Sequence, residues 1–102
     1  MENPETDSQA QPPMPPATFE FLVMSLRIQA EMALGVMKMK EDDKPDLDAA
    51  RHLIDMLAML VDKTRGNLSL EEQRLIENSV TELRFRFVQA AGQASKSTIV
   101  TP

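Results

Sequence analysis

Two apolar stripes run along the first long hydrophobic segment of the chain, residues 19 to 39. The pattern predicts a helix that begins after Thr18, whose hydroxyl can accept from a free backbone N–H group of the first turn. At about 100° per residue, one stripe forms an ordinary core face with Phe19, Leu22, Val23, Leu26, Ala30, Ala33, Leu34 and Met37. The second stripe consists of Phe21, Met24, Ile28, Met32, Gly35 and Met39. A helix that is apolar nearly all round is expected to be buried nearly all round.

The same segment is about long enough to cross a bilayer. However, Arg27 and Glu31 lie near its middle, where a charged residue costs about 2.5 kcal/mol or more on insertion scales. The two are one turn apart, so they are expected to pair on a narrow strip that faces water. We therefore expect the second stripe to be buried in an oligomer and not in a membrane.

A second helix is predicted over residues 47 to 65. Asp46 is a good N-cap for it, and Gly66 suits the left-handed position that follows a helix. The spacing of Arg51 and Asp55 allows a weak ion pair.

A third helix is predicted over residues 70 to 91. Ser69 and Glu72 form the reciprocal S-x-x-E capping box at its start, and Gly92 marks its expected end. One apolar stripe runs along it, with Phe85 pointing away and requiring a second contact. Glu82 and Arg86 are spaced as a favourable pair.

The short connections between the predicted helices favour antiparallel packing of consecutive helices. The predicted fold is therefore an all-α three-helix unit. The second and third helices form a hairpin, and the first helix packs across it. Five of the seven prolines precede Thr18, so residues 1 to 17 are expected to form a disordered tail. Residues 92 to 102 are expected to form another, which leaves a domain of residues 18 to 91.

A domain of this size buries little surface on its own, and the sequence has no cysteine for a disulfide. Oligomerisation, as a dimer or larger, is the remaining common way in which such a domain buries more surface. The absence of cysteine also fits a reducing compartment, and the acidic residues before the first helix are unlike a signal peptide. We expect a cytoplasmic protein.

The formal charge of −5 disfavours nucleic acid as a partner, because phosphate backbones are repelled.

No pattern in the sequence supplies a catalytic, cofactor or metal site. The acidic run of residues 41 to 48 could be read as a calcium loop, but it has no glycine and no glutamate at the twelfth position. His52 is the only histidine, and a surface role is expected for it. Lys63, Thr64 and Gly66 are in the wrong order for a phosphate loop. We expect the protein not to be an enzyme, although an oligomer could still bring carboxylates and arginines together.

Several short pieces of the sequence resemble one family of proteins. They are Thr18-Phe19-Glu20-Phe21-Leu22, Ser25-Leu26, Ala50, Ile54-Asp55, Leu57, Lys63-Thr64, Gly66-Asn67-Leu68-Ser69, Glu71-Glu72 and Glu82-Leu83-Arg84. The turn K-T-x-G-N-L-S-x-E-E is the most specific of them, and the resemblance covers residues 18 to about 88. The family is domain of unknown function eighteen-forty-four (DUF1844). The resemblance implies a small, helical, bacterial and cytoplasmic protein, and it brings no functional residues with it.

Two functions share the second stripe of the first helix. The first is self-association, in which Phe21, Met24, Ile28, Met32, Gly35, Met39 and Phe85 form the interface of a homo-oligomer. The second is an adaptor or chaperone-like role, because six methionines lie between residues 24 and 59 and methionine adapts to varied apolar surfaces. In that case the stripe would hold an apolar helix of another protein.

Overall fold

Three helices form the structure, a computed structural model that describes residues 13–36 and 44–99, with side chains as far as residue 94. They are α1 (Phe19–Ala33), α2 (Leu47–Lys63) and α3 (Leu70–Ile99), and each packs against both others. No strand occurs among the described residues. The all-α prediction with three packed helices is therefore confirmed.

The predicted caps mark the starts of all three helices. The Thr18 hydroxyl accepts from the Phe21 N–H at 3.0 Å, and the Asp46 carboxylate accepts from the Ala49 N–H at 3.1 Å. Each bond satisfies a backbone donor that has no partner within its own helix. The starts of α1 and α2 are thus set by local sequence.

The capping box before α3 is complete. The Ser69 N–H donates to the Glu72 carboxylate at 2.8 Å, and the Glu72 N–H donates to the Ser69 hydroxyl at 3.1 Å. Just before it, Gly66 has a φ of +84° in the turn that follows α2. The Asn67 N–H closes that turn on the Thr64 carbonyl at 2.8 Å. The short α2–α3 connection is therefore specified on both sides.

The first helix ends at Ala33, well before the predicted end near residue 39. Gly35 has a φ of +84°, and its N–H donates to the Met32 carbonyl at 3.1 Å. The Val36 N–H donates to the Glu31 carbonyl at 2.9 Å. These two bonds are the Schellman pair, so Gly35 terminates the helix and is not part of a helical stripe. Residues 37 and 39, both predicted to continue α1, lie outside the described residues.

The end of α1 is fastened to the start of α2. The Asp46 N–H donates to the Ala33 carbonyl at 2.7 Å. A Cβ atom placed on Gly35 would lie 3.3 Å from the Pro45 side chain, so the two chain segments approach closely. Only glycine satisfies both this contact and the left-handed backbone without strain.

The third helix differs from its prediction at the other end. It passes through Gly92 without a break and continues to Ile99, so residues 92 to 99 are helical and not part of a disordered tail. One glycine inside a helix costs only about 1 kcal/mol, and its neighbours Ala90, Ala91 and Ala94 are good helix formers.

The core is built from all three helices. Its buried side chains are Val23, Ala30, Leu34, Ala50, Ile54, Leu57, Ile76, Val80 and Leu83. Around it, Phe19, Leu26 and Ala33 of α1 pack half-buried, whereas Leu22, which was predicted to join the core face, is exposed. The predicted core face of α1 is otherwise correct for the residues described.

Candidate interaction surface on α1

The outer face of α1, defined here as Phe21, Met24, Ile28 and Met32, is apolar and open. Each of the four side chains is exposed to between 39% and 44%. On the opposite side of the same helix, Val23 and Ala30 are fully buried. Both faces predicted for α1 are thus present, and in the described residues only one of them is covered.

Three other residues were predicted to belong to this surface. Gly35 forms the turn after α1, and Met39 is outside the described residues. Phe85 is 65% exposed on α3, where it lines a surface depression of about 520 Å³. All residues around that depression belong to α3.

Arg27 lies along one edge of the outer face and connects α1 to α3. Its Nε donates to Glu31 Oε2 at 3.2 Å, and its Nη1 donates to Ser79 Oγ at 3.2 Å. Its Nη2 donates to a carboxylate oxygen of Glu82. Ser79 is fully buried, and this bond satisfies its hydroxyl. We call this group of four side chains the Arg27 cluster.

The Arg27 cluster corrects one prediction and confirms another. Arg27 and Glu31 do pair, as their spacing indicated. They do not stand on a water-facing strip, because the Arg27 side chain is only 20% exposed and reaches across to α3. Two carboxylates and a buried hydroxyl surround a planar group with five donors, which is an arrangement that arginine suits better than lysine.

The electrostatics of the cluster keep Arg27 charged. Burial alone would lower its pKa, but the hydrogen bonds and charges of Glu31 and Glu82 outweigh burial and raise the pKa of Arg27 above its ordinary value. A raised folded-state pKa adds stability below the unfolded value, and this is lost only as pH rises through the folded value. That loss lies beyond the pH range in which proteins are handled.

The other two predicted ion pairs are replaced by different contacts. Glu82 binds Arg27 instead of Arg86. Arg51 lies over the Phe87 ring, with its guanidinium carbon 5.8 Å from the ring centre, instead of meeting Asp55. Neither predicted pair is among the ion pairs of the described part of the chain.

Other depressions lie on the surface. One of about 650 Å³ has a largely apolar lining that includes Leu34, Leu47 and Ala90. A groove of about 400 Å³ runs between α2 and α3, with an apolar floor that includes Val61 and Val80 and with Asp62, Glu77 and Arg84 along it.

His52 is exposed. Over the described ranges, no three or more His, Cys, Asp or Glu side chains are grouped so that they could hold a metal ion. In those ranges, no helix combines the length and the apolar character needed to cross a membrane.

The sequence reasoning missed the link between Arg27 and Ser79, which are 52 positions apart. The only signal was indirect: Ser79 lies one helical turn from Ile76 and Leu83, on the side of α3 that packs inward. A serine there requires a hydrogen-bond partner, but the sequence does not say which residue supplies it.

Comparison with known proteins identifies the family. The family described as "Domain of unknown function (DUF1844)" matches residues 16–89, which include α1, α2 and the greater part of α3. The chain belongs to this family, and the resemblance seen in the sequence is confirmed. No curated protein and no solved structure gave a significant match.

Proposed function

We propose that this DUF1844 chain is a non-enzymatic helical interaction protein that self-associates through the outer face of α1. The observation that carries the proposal is the exposure of Phe21, Met24, Ile28 and Met32 beside a core that is already closed. Neighbouring exposed apolar side chains of this size are typical of interaction surfaces on soluble proteins.

The location of these side chains supports a binding role over a packing defect. All four lie on one rigid helix that is capped at its start and closed by a Schellman pair at its end. On α3, in contrast, Phe85 and Val88 are exposed beside charged and polar neighbours. A preformed apolar helix face requires little ordering when it binds, which favours association.

A second copy is the occupant that we propose. Homo-oligomers with two-fold symmetry are the commonest assemblies of soluble proteins. A small domain without disulfides gains stability from such an assembly, because its own core is small. The four side chains expose roughly a few hundred Å². A standard interface buries about 800 Å² on each partner, so the rims of α2 and α3 must contribute, and we expect a concentration-dependent association. The lack of cysteine supports a cytoplasmic setting.

The test is the absolute mass of the full chain in solution, measured by sedimentation or light scattering over a hundredfold dilution. We expect the wild type to exceed the mass of one chain and to approach it as it is diluted. Ile28→Asp places a carboxylate in the middle of the outer face and should give a folded monomer at every concentration.

Met59→Asp is the matched control, because it adds the same charge at an apolar side chain that is as exposed as Ile28 but lies on α2. It should associate like the wild type. A wild type that is a folded monomer at high micromolar concentration would overturn the proposal. In that case the same face would become a candidate site for an apolar helix of another protein, the adaptor role.

A further inference from the structure

We infer that the two copies pair with their α1 helices parallel and in register, related by a two-fold axis that runs along the helices. This inference rests on the proposed self-association and adds the arrangement of the two helices. It is carried by a difference between the two edges of the outer face.

One edge of the outer face is charged and acidic. At about 100° per residue, Glu20, Arg27 and Glu31 follow one another along the edge next to Met24. Glu82 of α3 lies just beyond them, because it binds Arg27. Three carboxylates thus accompany one guanidinium along this edge. Glu31 and Glu82 both pair with that guanidinium, so the three carboxylates and the one guanidinium leave this edge with a net charge of −2.

The other edge carries no charged residue of α1. Ser25 and Gln29 lie there, on the side of Phe21 and Met32 away from the Arg27 cluster. Gln29 is exposed and has an amide that can donate to a carboxylate. The outer face therefore has an acidic edge facing α3 and a neutral, donor-bearing edge opposite.

Symmetry determines which edges meet. An antiparallel two-fold pair sets each edge against the same edge of the other copy, so the carboxylates of both copies would face one another. A parallel two-fold pair sets the acidic edge of each copy against the neutral edge of the other. Like charges placed together across an interface are unfavourable, whereas Ser25 and Gln29 can hydrogen-bond the carboxylates of a second copy.

The helix dipoles favour the antiparallel pair, but their effect is limited to the ends of α1. At one end the Thr18 hydroxyl caps a free N–H, and at the other the Gly35 turn closes the last carbonyls. The carboxylates, in contrast, are spread along the length of the helix. The edge charges therefore decide the orientation.

Cysteine cross-linking tests the arrangement, because the natural sequence has no cysteine. In a parallel pair in register, position 28 of one copy faces position 28 of the other, at a separation that a disulfide can span. Ile28→Cys alone should therefore give a covalent dimer on mild oxidation. Met59→Cys is the control, since Met59 is as exposed as Ile28 but lies on α2. We expect it to cross-link at least tenfold more slowly.

An antiparallel pair centred on the same face gives the opposite result. Position 28 would then face position 24, so a mixture of Met24→Cys and Ile28→Cys chains would cross-link and Ile28→Cys alone would not. That outcome overturns the parallel arrangement and leaves self-association intact. The masses of the reduced variants are measured first: if these and the wild type are all folded monomers, self-association and the arrangement fall together.

Discussion

The inner and outer faces of α1 are made from the same kinds of residue, yet they have different surroundings. Val23, Ala30 and Leu34 on the inner face are almost completely buried against α2 and α3. Met24 and Ile28, a few ångströms away around the same helix, are about two-fifths exposed. Hydrophobicity alone therefore does not distinguish a residue that holds the fold from one that is open to a partner.

The largest expected effect comes from placing the same charge on both faces at adjacent positions. Val23→Asp would bury a carboxylate without a partner and should cost about 4 kcal/mol or more, close to the whole stability of a small domain. Met24→Asp should retain the helical circular dichroism and a cooperative melt. If both variants unfold alike, the two faces do not differ in role, and folding requires the partner copy.

The next effect concerns the edge between the two faces. Arg27→Met removes three hydrogen bonds and leaves the buried Ser79 hydroxyl without its donor, which should cost about 1–3 kcal/mol of unfolding free energy. Urea unfolding of Arg27→Met, Ser79→Ala and the double variant measures the coupling between the two residues. A double variant whose loss equals the sum of the single losses would show that the cluster is not a unit.

A smaller effect is expected where the outer face stops. Gly35 and Gly66 share the same φ of +84°, but only Gly35 has a neighbour, Pro45, where a Cβ would lie. Gly66→Ala should cost about 1 kcal/mol for the left-handed backbone alone. Gly35→Ala should cost more in thermal unfolding, because Pro45 must also shift. Equal losses for the two variants would mean that the Pro45 contact does not hold the end of α1.

The smallest effect lies away from both faces, within the last turns of α3. Gly92 is helical and nothing stands within 4 Å of a Cβ placed on it. Gly92→Ala should therefore raise stability by about 0.5–1 kcal/mol, because alanine is the better helix former. A melting temperature that does not change would argue that the helix ends before this position in solution.

The starts of the helices could be predicted from the sequence because a cap acts over three residues. Thr18, Asp46 and Ser69 each bond the backbone of their own first turn, so the signal and its effect lie together. The ends were harder to predict. Gly35 stands in an apolar run with no polar break, and Gly92 among helix formers, so the same residue type ends one helix and continues another.

The outer face of α1 could also be predicted, because it follows from helical periodicity. Its borders could not, since they depend on packing. The Arg27 side chain turns inward to a serine that the sequence does not connect to it. Residue spacing gives the positions around one helix but not the positions of one helix relative to another.

The backbone hydrogen bond between Ala33 and Asp46 has a consequence for insertions. Together with the Gly35–Pro45 contact, it fixes the two ends of the α1–α2 connection next to each other. The entropic cost of closing a loop rises only slowly as the loop lengthens, so once its ends are fixed, residues can be added between them at small cost. The chain can therefore accept an inserted peptide, such as an epitope tag, between residues 36 and 44 without changing the packing of its helices.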